Sequence, residues 1–192
     1  MRLFIALPLP EKAEQFLGNI IDDLIQKRGK VKWVDSKNIH LTLKFLGETD
    51  EQYIDDISTA IKKTATKHSS IKSTINKING FPNLNRPRVI WAGLEDIDDC
   101  LDKLENIALD IDNEMSVIGF EKENKKFKSH LTLGRVKDNK NIGELTKYLE
   151  TYRIQPQAVL FDKIVLFKST LTPQGAIYER LYQADLGEFV FE

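Results

Sequence analysis

The sequence predicts a duplicated α+β unit, on three observations. The tetrapeptide His40-Leu41-Thr42-Leu43 returns as His130-Leu131-Thr132-Leu133, 130 − 40 = 90 residues later. The order strand, helix, His/Thr strand runs once through residues 2–47 and again through residues 89–135, each time followed by another helix and strand. The composition, 41% hydrophobic and 30% charged over 192 residues, is that of a globular chain able to bury a core as one domain or two small lobes. At ordinary abundances of Leu and Thr, a given His precedes Leu-Thr-Leu on the order of once in a thousand times. Two of the three histidines do so here.

Taken in order, residues 2–7 are a Leu-, Phe- and Ile-rich strand. Pro10 suits the first turn of a helix whose apolar positions, Ala13, Phe16, Leu17, Ile20, Ile21, Leu24 and Ile25, recur at helical spacing, with a stop near Arg28-Gly29. Residues 31–34 form a short extended lead-in to the first His/Thr strand, residues 38–46, which Gly47 closes. Thr49 with Gln52 matches a capping box for a helix carrying Tyr53, Ile54, Ile57, Ile61 and Ala65. A strand at 71–78, turn chemistry at 81–88 (Pro82, Asn83, Asn85, Pro87) and a strand at 89–94 complete the first pass. Asp96 or Asp98 then caps a helix through Leu101, Leu104, Ala108, Ile111 and Met115. A strand at 117–120 and a charged turn at 121–124 lead to the second His/Thr strand, residues 127–136. A short helix around Ile142, Leu145, Tyr148 and Leu149, and a hairpin of strands 159–166 and 176–186 about Pro173-Gln174-Gly175, end the chain.

In a strand, side chains i and i+2 share a face. Each tetrapeptide is therefore a half-site: two Leu point to a core, and an imidazole beside a hydroxyl points the other way. Two half-sites across a pseudo-twofold axis would make a cleft with two histidines. Histidine titrates near neutrality, so such a pair can hold a general base and a general acid at once, which suits displacement at phosphorus. Thr42 and Thr132 suit donation to the non-bridging oxygens, and Arg135, close to the second half-site, adds a charged donor to phosphate. Lys125, Lys126 and Lys128 are read first as a solvated face.

Other classes are excluded by what the pattern lacks. Cys100 is alone, so neither an intramolecular disulfide nor a Cys-based zinc site is expected. No His-Glu-x-x-His, no Asp-rich cluster and no phosphate-cradling Gly-x-x-x-x-Gly-Lys-Ser/Thr loop is present, so no metal and no cofactor is expected. The 28 basic residues against 29 acidic give a net charge of −1, which favours contact with an RNA end or a short oligonucleotide over coating of a long polyanion. The apolar run near the N-terminus is broken by Pro8 and Pro10, so no membrane association is expected and a monomer in a reducing cytoplasm is the default. His68 reads as a surface residue at a helix end, Cys100 as a small buried residue, and Trp33, Trp91, Phe45 and Phe127 as packing residues before base-stacking ones.

The paired His-x-Thr-x motifs resemble the two-histidine phosphoesterase superfamily. The resemblance narrows to the bacterial and archaeal RNA 2′,3′-cyclic phosphodiesterases, also called 2′-5′ RNA ligases. It rests on Met1-Arg2-Leu3-Phe4-Ile5-Ala6-Leu7, on residues 34–47, on Pro87-Arg88-Val89-Ile90-Trp91-Ala92-Gly93, on Phe127-Lys128-Ser129-His130-Leu131-Thr132-Leu133-Gly134-Arg135, and on Phe167-Lys168-Ser169 with Gly175 and Tyr178. It implies a single domain over residues 1–192 of two interleaved lobes, each an antiparallel sheet backed by helices, with a central cleft between pseudo-twofold related halves. It also implies metal-independent opening of a 2′,3′-cyclic phosphate at an RNA end, tRNA fragments included, to a 2′-phosphate. His40 would be the acid, His130 the base, and Thr42, Thr132 and Arg135 the phosphate holders. Two departures stand out: Ser129 where relatives commonly have Pro, and Gly134 where many have Ala. The alternatives are the same chemistry on another small cyclic phosphate or a 2′-5′ linked oligonucleotide, and a module that binds a nucleotide phosphate without turning it over.

Overall fold

The structure, a computed structural model, describes residues 1–187. Two antiparallel sheets face each other. Sheet A has the order β3-β1-β8-β9, with β1 at Arg2–Pro8, β3 at His40–Glu48, β8 at Lys163–Leu171 and β9 at Ala176–Asp185. Sheet B has the order β2-β6-β5-β4-β7, with β2 at Lys30–Trp33, β4 at Ile71–Phe81, β5 at Val89–Glu95, β6 at Leu131–Asp138 and β7 at Gln157–Phe161. The α+β class and the duplicated arrangement expected from the sequence are both present. The repeat is interleaved, because β4 of the first pass joins β5 in sheet B while β8 of the second pass joins β1 in sheet A.

Four α-helices among the described residues back these sheets: α1 (Glu11–Ile25), α2 (Ile54–Ala65), α3 (Cys100–Ile118) and α4 (Gly143–Thr151). Helices α2 and α3 pack together; α2 lies on β8 and β9, whereas α3 reaches β3 and also β4 and β5. Helix α1 crosses from β1 to pack near β7, where Asp23 accepts from the Tyr148 hydroxyl of α4 at 2.9 Å. One continuous core of Leu, Ile and Ala fills the space behind the sheets. A second, small cluster (Phe4, Ala6, Val165, Phe167) sits on the opposite face of sheet A. None of the described helices is long and apolar enough to cross a membrane.

Several expectations change in detail. The strand expected at 117–120 is the last turn of α3, ended by Gly119 at φ 110; Met115 and Ile118 continue the helical stripe, so the apolar run was one turn more of helix. The strand expected at 159–166 is two strands broken at Asp162, β7 in sheet B and β8 in sheet A, because one apolar run passes between the lobes. The cap before α2 is Asp50, whose Oδ1 accepts from Gln52 N at 3.1 Å, while Thr49 is buried and its hydroxyl donates to the Gly47 carbonyl. Asp96, not Asp98, caps the start of α3, accepting from Leu101 N at 3.1 Å. His68 turns inward to Asp110 of α3 at 2.8 Å. Cys100 is buried, as expected.

Candidate active site

The site is made by one irregularity used twice. Strict alternation would place Phe45 and Arg135 with the buried leucines, on the face opposite Thr42 and Thr132. In the β1/β3 ladder, however, Ile5 pairs Lys44 and Ala6 pairs Thr42, so Leu43 is an extra residue. In the β5/β6 ladder, Ile90 pairs Gly134 and Trp91 pairs Thr132, so Leu133 is an extra residue at the corresponding position. Cross-strand partners share a face. A one-residue bulge therefore moves every later side chain to the other side. Phe45 is brought to the face of Thr42, and Arg135 to the face of Thr132. The residue in between, Lys44 or Gly134, is sent to the core side.

The result is a cleft of about 910 Å³ between the sheets, lined by His40, Thr42 and Phe45 from one lobe and by Thr132, Arg135, Lys32 and Lys137 from the other. Strands β3 and β6 approach within 8 Å, Cα to Cα, without sharing a ladder. Electrostatics registers the convergence. Burial pushes the Tyr178 phenol up, and the charges of Arg135, from across the cleft, and of Arg2, from the same sheet, act against that shift. His40 in turn feels the charge of His130.

Both rings are held by the same local device. His40 Nδ1 lies 2.7 Å from the Asn38 carbonyl, and His130 Nδ1 lies 2.7 Å from the Lys128 carbonyl. A carbonyl can only accept, so each Nδ1 carries the proton and each Nε2 is left for chemistry. Their surroundings differ. His40 stacks on Phe4 at 4.7 Å between centroids and meets Tyr178 edge-on at 5.5 Å, with Phe167 at 6.1 Å. Burial among these rings is the main reason its pKa falls to about 4; the Asn38 carbonyl works against that shift and His130 reinforces it. His130 meets Phe81 edge-on at 5.2 Å and Trp91 at 6.4 Å.

All five residues singled out in the sequence thus belong to one region: His40, Thr42, Thr132 and Arg135 line the cleft, and His130 sits close enough to act on His40. The aromatic walls were missed. Phe45, expected to pack, is 58% exposed in the cleft, and Trp91 stacks on Phe81 beside His130. Trp33 keeps its packing role, with its indole over Gly134, while bordering the cleft. No group of three or more His, Cys, Asp or Glu suited to a metal ion occurs among the described residues.

Comparison with known proteins places this geometry. A family model described as LigT like phosphoesterase matches residues 7–91 and 96–178. The RNA 2′,3′-cyclic phosphodiesterase of Thermotoga maritima is 36% identical over 183 residues, 95% of this chain and 94% of that one. The protein of the same name from Methanocaldococcus jannaschii is 37% identical over 180 residues, covering 93% and 97%. A crystal structure from Thermus thermophilus matches with a TM-score of 0.75 at 28% identity, covering 98% of this chain and 100% of that one. Escherichia coli LigT in its apo form, at 20% identity and a TM-score of 0.74 over 97% and 98%, shares the fold. With its duplicated His-Leu-Thr-Leu strands, interleaved sheets and near full-length matches, the chain belongs to the LigT-like phosphoesterase family, within the two-histidine superfamily.

Proposed function

We propose that the protein opens 2′,3′-cyclic phosphates at RNA ends to 2′-phosphates by two-histidine acid/base catalysis. The observation that carries this reading is the convergence of His40, Thr42, Thr132 and Arg135 on one cleft beside His130. The names of the relatives from Thermotoga maritima and Methanocaldococcus jannaschii support the substrate class. His130 Nε2 takes a proton from water as its oxygen attacks phosphorus; the P–O3′ bond breaks, and His40 Nε2–H gives its proton to O3′. Thr42, Thr132 and Arg135 hold the non-bridging oxygens, where charge accumulates in the transition state. Lys32 and Lys137 add positive potential on the same wall of the cleft.

Burial sets a condition on this assignment. A ring lowered to about 4 is unprotonated at neutral pH, so His40 acts as an acid only when the phosphodiester anion bound against it favours the charged form. Binding and protonation are then linked, and binding of a non-hydrolysable substrate at neutral pH draws a proton from solution onto His40. With an RNA 5′-hydroxyl in place of water, the same displacement forms a P–O5′ bond as P–O3′ breaks, leaving a 2′-5′ linkage.

The test is end-labelled RNA bearing a 2′,3′-cyclic phosphate, with the position of the product phosphate determined. A 2′-phosphate is expected. A 3′-phosphate would reassign the leaving oxygen, and binding without turnover would make the cleft a binding module.

A further inference from the structure

We propose that Lys44 is a positioning residue for His130, tying the strand of one histidine to the loop that delivers the other. The inference rests on the two-histidine reading of the cleft. The Leu43 bulge turns Lys44 away from the cleft, into register with fully buried Ile5, and leaves it 3% exposed. A lone ammonium there would be strongly disfavoured, and the surroundings compensate it. Its Nζ lies 2.5 Å from Asp112 Oδ1 on α3 and 2.7 Å from the Glu121 carbonyl. The same Asp112 oxygen accepts the backbone N–H of Glu123 at 3.1 Å. One buried charge pair therefore joins β3, α3 and the segment 119–130.

That segment contains no helix or strand, yet it ends on His130. Its other hydrogen bonds and ion pairs to the rest of the described chain are backbone bonds at the helix end, Gly119 to Ser116 and Phe120 to Met115, and exposed contacts, Lys122 with Asn113 and Lys126 with Glu105; Phe120 and Phe127 add apolar packing against the core, and Lys128 and His130 lie against the Phe81 ring. The Nδ1 bond of His130 to Lys128 is internal to the segment, so it orients the ring without fixing where the segment lies. Lys44 and Asp112 supply the buried polar anchor. The corresponding position in the second copy is Gly134, where an added Cβ would fall 2.7 Å from Val31 Cγ1, so this anchor is not part of the duplicated half-site. It links the two copies.

A buried ion pair is weak evidence of a role in stability, since apolar pairs of similar volume often replace one without loss. That supplies the discriminating experiment. Lys44→Met should lower kcat tenfold or more while KM stays within about twofold. The double variant Lys44→Met with Asp112→Leu should regain the parental Tm but not the parental kcat. In the ring NMR spectrum, the His130 signals should move or broaden in both variants while those of His40 stay. Should Lys44→Met fail to fold, Asp112→Asn, which keeps shape and removes charge, carries the same kinetic and NMR expectations. A double variant with parental kcat, or a Lys44 or Asp112 variant with unmoved His130 signals, overturns the proposal. The NMR readout does not depend on the reaction, so it distinguishes failure here from failure of the proposed function.

Discussion

The two half-sites share a tetrapeptide, a bulge and a ring-to-carbonyl bond of 2.7 Å, yet they present different chemistry. The first wraps His40 in Phe4, Phe167 and Tyr178 and places Phe45 in the slot after its bulge. The second sets His130 against two aromatic edges and places Arg135 in the equivalent slot. Duplication supplied the backbone, and divergence at a few positions supplied the roles. One lobe offers an apolar platform and a ring kept neutral by burial; the other offers a cation for the phosphate. Two identical halves would give a symmetric pair of bases with nothing to orient a substrate between them.

The largest expected effects come from removing what the halves share. His40→Ala and His130→Ala should each cost about 10²- to 10⁴-fold in kcat/KM, with the circular dichroism spectrum unchanged. Either variant at near-parental rates would take that ring out of the reaction. The next pair removes what the halves do not share. Arg135→Gln deletes a charged hydrogen bond to phosphate, about 1.5–3 kcal/mol, and should flatten the salt dependence of kcat/KM. Phe45→Ala deletes a stacking surface worth about 1–3 kcal/mol per base; its effect should fall on KM and persist at high salt. If the two variants lost activity in the same way, with the same response to salt, the division of labour between the slots would be gone.

A smaller effect is expected at the residue between bulge and slot. Gly134→Ala puts a methyl 2.7 Å from Val31 Cγ1 and 2.8 Å from Trp33 Cε3. The rigid indole cannot move aside cheaply, so overpacking should cost about 1–3 kcal/mol, read as a lower Tm. The intolerance is set by Trp33 and Val31, which close over Gly134. Unchanged thermal stability would mean that the β2 edge yields freely.

The sequence made the half-sites legible because their signal is local. Four residues at period 2 fix an apolar face and a reactive face, and repetition removes chance. The bulges at Leu43 and Leu133 were not legible, because an extra residue in a ladder is a fact about the partner strand, and neither β1 nor β5 carries a mark of it. That is why Arg135 could be suspected from proximity but not assigned a face, and why Phe45 was read as packing. Interleaved lobes were expected from the resemblance, but which strands cross, β4 into sheet B and β8 into sheet A, was not legible, because strand pairing over long separations leaves no periodic trace. The split at Asp162 and the extra turn of α3 at 117–118 show the ordinary ambiguity of short apolar runs between strand and helix.

The asymmetry of the rings should also be visible in stability, without any substrate. An unfolded His40 takes its proton near 6.5, whereas the folded ring, buried among aromatics, takes it only near 4. Between those values the unfolded chain binds more protons, so lowering the pH through this window destabilises the fold, and raising it restores the loss. Urea unfolding from pH 7 to pH 4 should therefore show a decline in stability that His40→Gln reduces. Because the stabilised form is the neutral ring, the neutral amide should match the parent near pH 7 and exceed it near pH 4. Parallel decline in parent and variant would mean that the titrating burden lies elsewhere, in the carboxylates, and that His40 is less enclosed than its three aromatic neighbours imply.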